Sequence, residues 1–117
     1  MAKSVLIVDD HPGFRASARR MLEASGYAVV AEAGGGEEAI AACGELAPDL
    51  VLLDVQLPDL DGFEVAARLQ GLDRAPDVVL TSSRDRTDFG DAVAESSARG
   101  FIAKAELSGP ALAELVG

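Results

Sequence analysis

The chain is poor in the residues that make disulfide, redox or zinc chemistry. Its 117 residues include one cysteine, Cys43, one histidine, His11, and no tryptophan. A lone cysteine cannot close an intramolecular disulfide, and the two alanines before Cys43 mark it as a small core residue. With no second histidine or nucleophile beside it, His11 reads as a surface residue. Positive charge is also scarce: ten Lys and Arg stand against twenty Asp and Glu, a formal net charge of -10. Such a chain repels nucleic acid and anionic membrane, which argues against direct nucleic acid binding and leaves a protein or a cation as partner. No apolar run approaches the about 20 residues of a membrane span, and no charged-apolar-small leader opens the chain. A cytoplasmic protein without a membrane partner is expected.

What is present is apolar: 49% of residues are hydrophobic, enough for one domain over residues 1–117 with a real core. Ser4 to Val8 is a short apolar run ending in Asp9 and Asp10. His11-Pro12-Gly13 then opens a helical pattern on Phe14, Ala18, Met21 and Leu22 that stops at Ser25-Gly26. Ala28 to Ala33 predicts a second strand, and Gly34-Gly35-Gly36 a turn before a helix carrying Ala39, Ile40 and Cys43. The glycine triplet lacks the spacing and the following Lys-Ser/Thr of a phosphate-binding loop.

Leu50-Val51-Leu52-Leu53 is apolar at every position, the habit of a strand covered on both faces, and it ends in Asp54. Gly62 opens a helix with Val65, Leu69 and Leu72 on one face, and Val78 to Ser82 is the fourth strand. Arg84 to Asp88 reads as a polar loop. Phe89, Ala92, Val93 and Ser96 sketch a weak fourth helix, Gly100 to Lys104 a fifth strand, and Ser108-Gly109-Pro110 caps a last helix with Leu112, Leu115 and Val116. Five strands alternating with five helices specify a parallel α/β sheet with right-handed crossovers. The expected fold is the flavodoxin-like doubly wound (βα)5 arrangement, strand order 2-1-3-4-5, whose switch point lies between strands 1 and 3.

That order gathers Asp9, Asp10 and Asp54 around one crevice, with Lys104 at the end of a third strand. Two carboxylates about 5 Å apart repel by roughly 3 kcal/mol at an effective dielectric of about 20, so three call for a cation or a proton. Oxygen ligands in an open site suit Mg2+, with Asp10 and Asp54 as direct ligands and Asp9 through a water. A metal beside a carboxylate and an ammonium group suits phosphoryl transfer, and a carboxylate can itself be the nucleophile. Asp54 is best placed for that.

Asp9-Asp10-His11-Pro12, the run Asp54 to Gly62, a strand-end Thr81 or Ser82, and Lys104 together resemble the receiver domain of two-component response regulators, across essentially the whole chain. The resemblance implies that Asp54 accepts a phosphoryl group from a phosphohistidine on a sensor histidine kinase. It implies Mg2+ on Asp10, Asp54 and the backbone carbonyl of Gln56, and Lys104 paired with the phosphoryl oxygens. A strand-4 hydroxyl would follow the phosphoryl group, and Phe101 matches the aromatic position that follows the hydroxyl. The face of helix 4, strand 5 and helix 5 would then change, binding an output domain or protein partner or forming a homodimer. Ala105 after the lysine resembles the subfamily whose receivers precede helix-turn-helix DNA-binding domains.

Thr81 and Ser82 compete for the switch, since side chains alternate along a strand. Counting from Pro76 gives Thr81, whereas counting back from Lys104 through an unbroken fourth helix gives Ser82. Ser82 is favoured, because a gap inside a helix would rotate its apolar face by about 100°; Thr81 is then expected on the opposite side of the sheet. Two further functions compete with a phosphoaccepting switch. One is a receiver fold that binds proteins without phosphorylation. The other is a small Mg2+ phosphatase with an aspartyl-phosphate intermediate, disfavoured because Gln56, not an acid, stands two residues beyond Asp54.

Overall fold

A computed structural model describes residues 2–116. Five strands, β1 (Ser4–Val8), β2 (Ala28–Ala33), β3 (Leu50–Asp54), β4 (Asp77–Ser82) and β5 (Gly100–Ala103), form one parallel sheet in the order β2-β1-β3-β4-β5. The helices between and after them are α1 (Pro12–Ala24), α2 (Gly36–Leu46), α3 (Gly62–Gln70), α4 (Ala92–Glu95) and α5 (Gly109–Val116). This is the expected flavodoxin-like order, and no helix among the described residues is long and apolar enough to cross a membrane.

Alternation along the strands divides the core in two. Val5, Ile7, Leu50, Leu52, Val79 and Ile102 pack with α1 and α5, on Ala18, Leu22, Leu112 and Val116. Leu6, Val8, Val51, Leu53, Val78 and Leu80 face the other way, onto Ala39 and Cys43 of α2 and Val65, Ala66 and Leu69 of α3. β3 is buried at every position because both layers cover it, which is why its sequence shows no alternation. Burial pushes the Cys43 thiol up to about 11, as suits an inert core thiol.

Three local differences from the sequence reading stand out. Leu72 lies beyond the end of α3, yet packs against the same core. Lys104 is not the last strand residue: it opens a 3-10 turn, Lys104–Glu106. The fourth helix is a 3-10 turn over Arg86–Phe89, a break at Gly90 with φ 58°, and then the single turn of α4. Its surface is short of apolar residues, so tertiary packing does not sustain a longer helix there.

Candidate phosphoacceptor site

β1 and β3 are hydrogen-bonded neighbours in register Val8↔Leu53, so Asp9, just past β1, and Asp54, the last residue of β3, emerge side by side. Asp9 is fully buried and Asp54 is 3% exposed, whereas Asp10 is exposed. Lys104 Nζ reaches in from the end of β5, 2.6 Å from Asp9 Oδ2 and 3.3 Å from Asp54 Oδ2. The shorter contact is a charge contact without hydrogen-bond alignment, while the longer one is an aligned hydrogen bond. The ammonium also stands 4.4 Å from the centre of the Phe14 ring, so an apolar helix residue supports the cation.

Burial pushes both carboxyls up, with different outcomes. Lys104 and the His11 amide outweigh burial at Asp9 and hold its carboxyl below the usual range. At Asp54 burial and the neighbouring Asp9 charge prevail over the Gln56 amide and Lys104, and its carboxyl is raised. Burial lowers the Lys104 ammonium, but the two acids more than compensate and keep it charged. One lysine is therefore shared between two buried acids, Asp9 taking the closer contact.

The loop after Asp54 is held by its own backbone. The Gln56 amide donates to Asp54 Oδ1 at 3.0 Å, and the Gly62 amide donates to the Val55 carbonyl at 2.7 Å. A Cβ on Gly62 would stand 2.5 Å from the Asp54 carbonyl oxygen and 2.7 Å from Val55 Cα, so only glycine lets α3 start this close to the strand end. Asp61 caps α3, accepting from the Glu64 amide at 2.9 Å. Asp59, expected as a plain loop residue, instead accepts from the Gly36 and Glu37 amides at 2.8 and 3.0 Å and caps α2 across the gap.

Ligand atoms chosen one each from Asp9, Asp10, His11 and Asp54 lie within 4.8 Å of one another. Three carboxylates with a single ammonium between two of them leave negative charge uncompensated, and the donor set fits a hard divalent ion. His11, exposed and beside the site as expected, brings Nδ1 within 3.1 Å of both Asp9 Oδ1 and Asp10 Oδ1.

The strand-4 hydroxyls reverse the sequence expectation. Thr81 is the register partner of Asp54 on one side and of Ile102 on the other, so its side chain falls on the sheet face that carries Leu50, Leu52 and Asp54. Ser82 falls on the opposite face, with Leu80 and the layer that receives Phe101. Both residues are fully buried, yet Ser82 Oγ accepts from the Arg84 amide at 3.1 Å, whereas Thr81 Oγ1 has no hydrogen-bond partner among the described residues. The count back from Lys104 assumed an unbroken fourth helix, whereas α4 is one turn long and is preceded by a 3-10 turn and the break at Gly90, so there is no long apolar helix face to keep in phase.

Phe101 packs against Phe89 at 5.8 Å between ring centres, and Phe89 against Phe63 at 5.9 Å. The sequence also gave no warning of Arg15, whose Nη1 donates to the Asp9 carbonyl at 2.6 Å while Nε bonds Glu32 at 3.1 Å. Arg19 bonds the second oxygen of Glu32 at 2.8 Å. Only helical spacing places Arg15 and Arg19 on one face, and nothing in the sequence says that Glu32 of β2 meets it.

Comparisons with known proteins agree with this arrangement. Residues 5–115 match the family described as response regulator receiver domain. The virulence transcription regulator BvgA of Bordetella pertussis is 38% identical over 106 residues, covering 91% of this chain and 51% of the relative. The positive alginate biosynthesis regulatory protein of Pseudomonas aeruginosa is 40% identical over 103 residues, covering 86% and 41%. This chain thus spans about half the length of such relatives or less. A two-component response regulator of the LuxR family from Aurantimonas superposes with TM-score 0.85 at 31% identity, covering 97% of this chain and 81% of that one. With fold, strand order and matched residues in agreement, the chain belongs to the response regulator receiver domain family.

Proposed function

We propose that this chain is a phosphorylation switch in which Asp54 accepts a phosphoryl group from the phosphohistidine of a sensor histidine kinase. The observation that carries the reading is the position of Asp54: a buried carboxylate closing a buried strand, 3.3 Å from the Lys104 ammonium and beside a second buried acid. An Asp54 oxygen attacks phosphorus, the P–N bond to the kinase histidine breaks, and the leaving imidazole keeps that electron pair. Lys104 then faces an acyl phosphate and pairs with its oxygens. Asp9, Asp10, Asp54 and the Gln56 carbonyl would hold Mg2+, which when bound neutralises charge on the transferring oxygens. Asp10 and Asp54 are the direct ligands in this reading; Asp9, already held by Lys104 and His11, acts through a water.

Thr81, rather than Ser82, is the hydroxyl we assign to the phosphoryl group, since it shares the Asp54 face and its oxygen is free to be recruited. Movement there relieves or loads Phe101 on the neighbouring strand, and through it the face of α4, β5 and α5. That face carries a groove of about 350 Å³ lined by Phe101, Ile102, Ala111 and Leu115, with Asp85 and Glu114 among the acids at its edge. An output domain, a protein partner or a second phosphorylated copy would dock there. Incubation with acetyl phosphate and Mg2+ followed by intact-mass measurement tests the proposal: one added phosphoryl mass is expected, and none in the presence of Mg2+ would refute it.

A further inference from the structure

The Lys104 ammonium has a neighbour that is not an acid. Its Nζ stands over the Phe14 ring, 4.4 Å from the ring centre, and its side chain is only 17% exposed. Two sets of contacts fix that ring relative to the acids. Phe14 packs, half-buried, against the layer that α1 and α5 form with the sheet. The next residue, Arg15, donates from its amide to the His11 carbonyl at 3.1 Å and from Nη1 to the Asp9 carbonyl at 2.6 Å. The first turn of α1 is thus tied to the residue that follows β1, and Phe14 is carried with it.

An aromatic face attracts a cation through its quadrupole and offers no lone pair. A water or another acid in the same place would take an N–H donor from the ammonium. Phe14 therefore holds the charge without occupying a donor. Lys104 makes one aligned hydrogen bond, to Asp54 Oδ2, and an ammonium carries three N–H groups, so donors remain for the oxygens of an arriving phosphoryl group. A cation placed and desolvated beforehand stabilises charge in the transition state without reorganising. A mobile, hydrated ammonium would have to be turned and stripped of water during the transfer.

We propose that Phe14 is a positioning residue for phosphoryl transfer, its ring face holding the Lys104 ammonium out of water and against the Asp54 carboxylate. The proposal rests on the reading of Asp54 as phosphoacceptor given above. It adds a residue of α1 to a site otherwise built from strand ends, and it separates an electrostatic role of the ring from its packing in the core.

The test uses the full chain with Phe14 replaced in turn by mono-, di- and trifluorophenylalanine. Fluorine draws electron density from the ring face and weakens its hold on a cation while nearly preserving its size. With acetyl phosphate and Mg2+, the second-order rate constant for phosphorylation should fall stepwise along the series, by about fivefold at the trifluoro ring. The Mg2+ dependence of the rate should not change. Phe14→Leu, which keeps an apolar side chain, should slow the reaction at least as much and abolish the upfield ring-current shift of the Lys104 ε-methylene protons that the parent should show. A flat fluorine series, even beside a slow Phe14→Leu, would assign the ring to packing and overturn the proposal. So would a parent spectrum without the upfield shift, or a rate loss that comes with a changed Mg2+ dependence, which would place the effect on the acids. A parent that gains no phosphoryl mass refutes the phosphoacceptor reading itself, and this proposal with it.

Discussion

Where β1 and β3 end, the crevice is built from long elements and closed backbone: a buried five-residue strand, a nine-residue helix capped by Asp61, and a glycine that no other residue can replace. Where β4 and β5 end, it is built from a 3-10 turn and a four-residue helix, with Phe89 tilted against Phe101 and edge-on to Phe63 of α3. The acids thus sit on a scaffold that resists change, and the hydroxyl and the aromatic on one that is inexpensive to rearrange. The proposed switch would use both: fixed acids for the transfer, and a loosely held segment whose alternative packing differs by little free energy.

Gly62→Ala is the most direct way to break the rigid half. With the new methyl 2.5 Å from the Asp54 carbonyl oxygen, the change should cost about 3 kcal/mol or more in urea unfolding. A loss under about 1 kcal/mol would mean that the strand end yields as readily as the other side. Phe89→Ala is the matching cut in the pliable half, removing the ring that touches both Phe63 and Phe101. A loss of about 2 kcal/mol is expected for this half-buried side chain. Hydrogen exchange should rise between residues 84 and 99 and stay unchanged in β1 and β3; a rise spread evenly over the sheet contradicts the division.

Thr81→Val and Ser82→Ala sharpen it further. Valine in place of a buried hydroxyl without a partner should leave the unphosphorylated protein as stable or up to about 1 kcal/mol more stable, while uncoupling the Phe101 resonances from phosphorylation. Ser82→Ala should cost about 0.5–1 kcal/mol through its lost bond to the Arg84 amide and retain the coupling. The opposite pattern at Phe101 returns the switch to Ser82. The smallest effect expected is at Glu32, behind the acids. The Arg19 hydrogen bond, then Arg15, outweigh burial and hold its carboxyl below the usual range. A folded-state value below the unfolded one gives stability that is present above the ordinary glutamate range and lost as pH falls through the folded value. Glu32→Gln should therefore cost about 1 kcal/mol near neutrality and less in acid; a pH-independent difference in the unfolding midpoint would assign the effect to packing instead.

The rigid half was the more legible in sequence. Buried strands announce themselves as runs such as Leu50 to Leu53, and acids directly after two such runs converge once the sheet order is known. Lys104 was visible because lysine seldom closes an apolar run. The pliable half was misread at one point, the sheet face of Thr81, because the count assumed a helix where propensity and packing sustain one turn. Asp59 capping α2 was out of reach because it joins segments more than twenty residues apart, and Arg15 holding the Asp9 carbonyl because its acceptor is a backbone atom that carries no residue code.

The central claim is that Asp54, and neither neighbouring acid, carries the phosphoryl group. Parent protein treated with acetyl phosphate and Mg2+ and then with hydroxylamine would retain a hydroxamate on the carboxyl that had been phosphorylated, and peptide mass mapping locates it. The account predicts the modification at residue 54 alone, and no added phosphoryl mass on Asp54→Asn. A hydroxamate on Asp9 or Asp10, or an Asp54→Asn protein that still gains the phosphoryl mass, would contradict it.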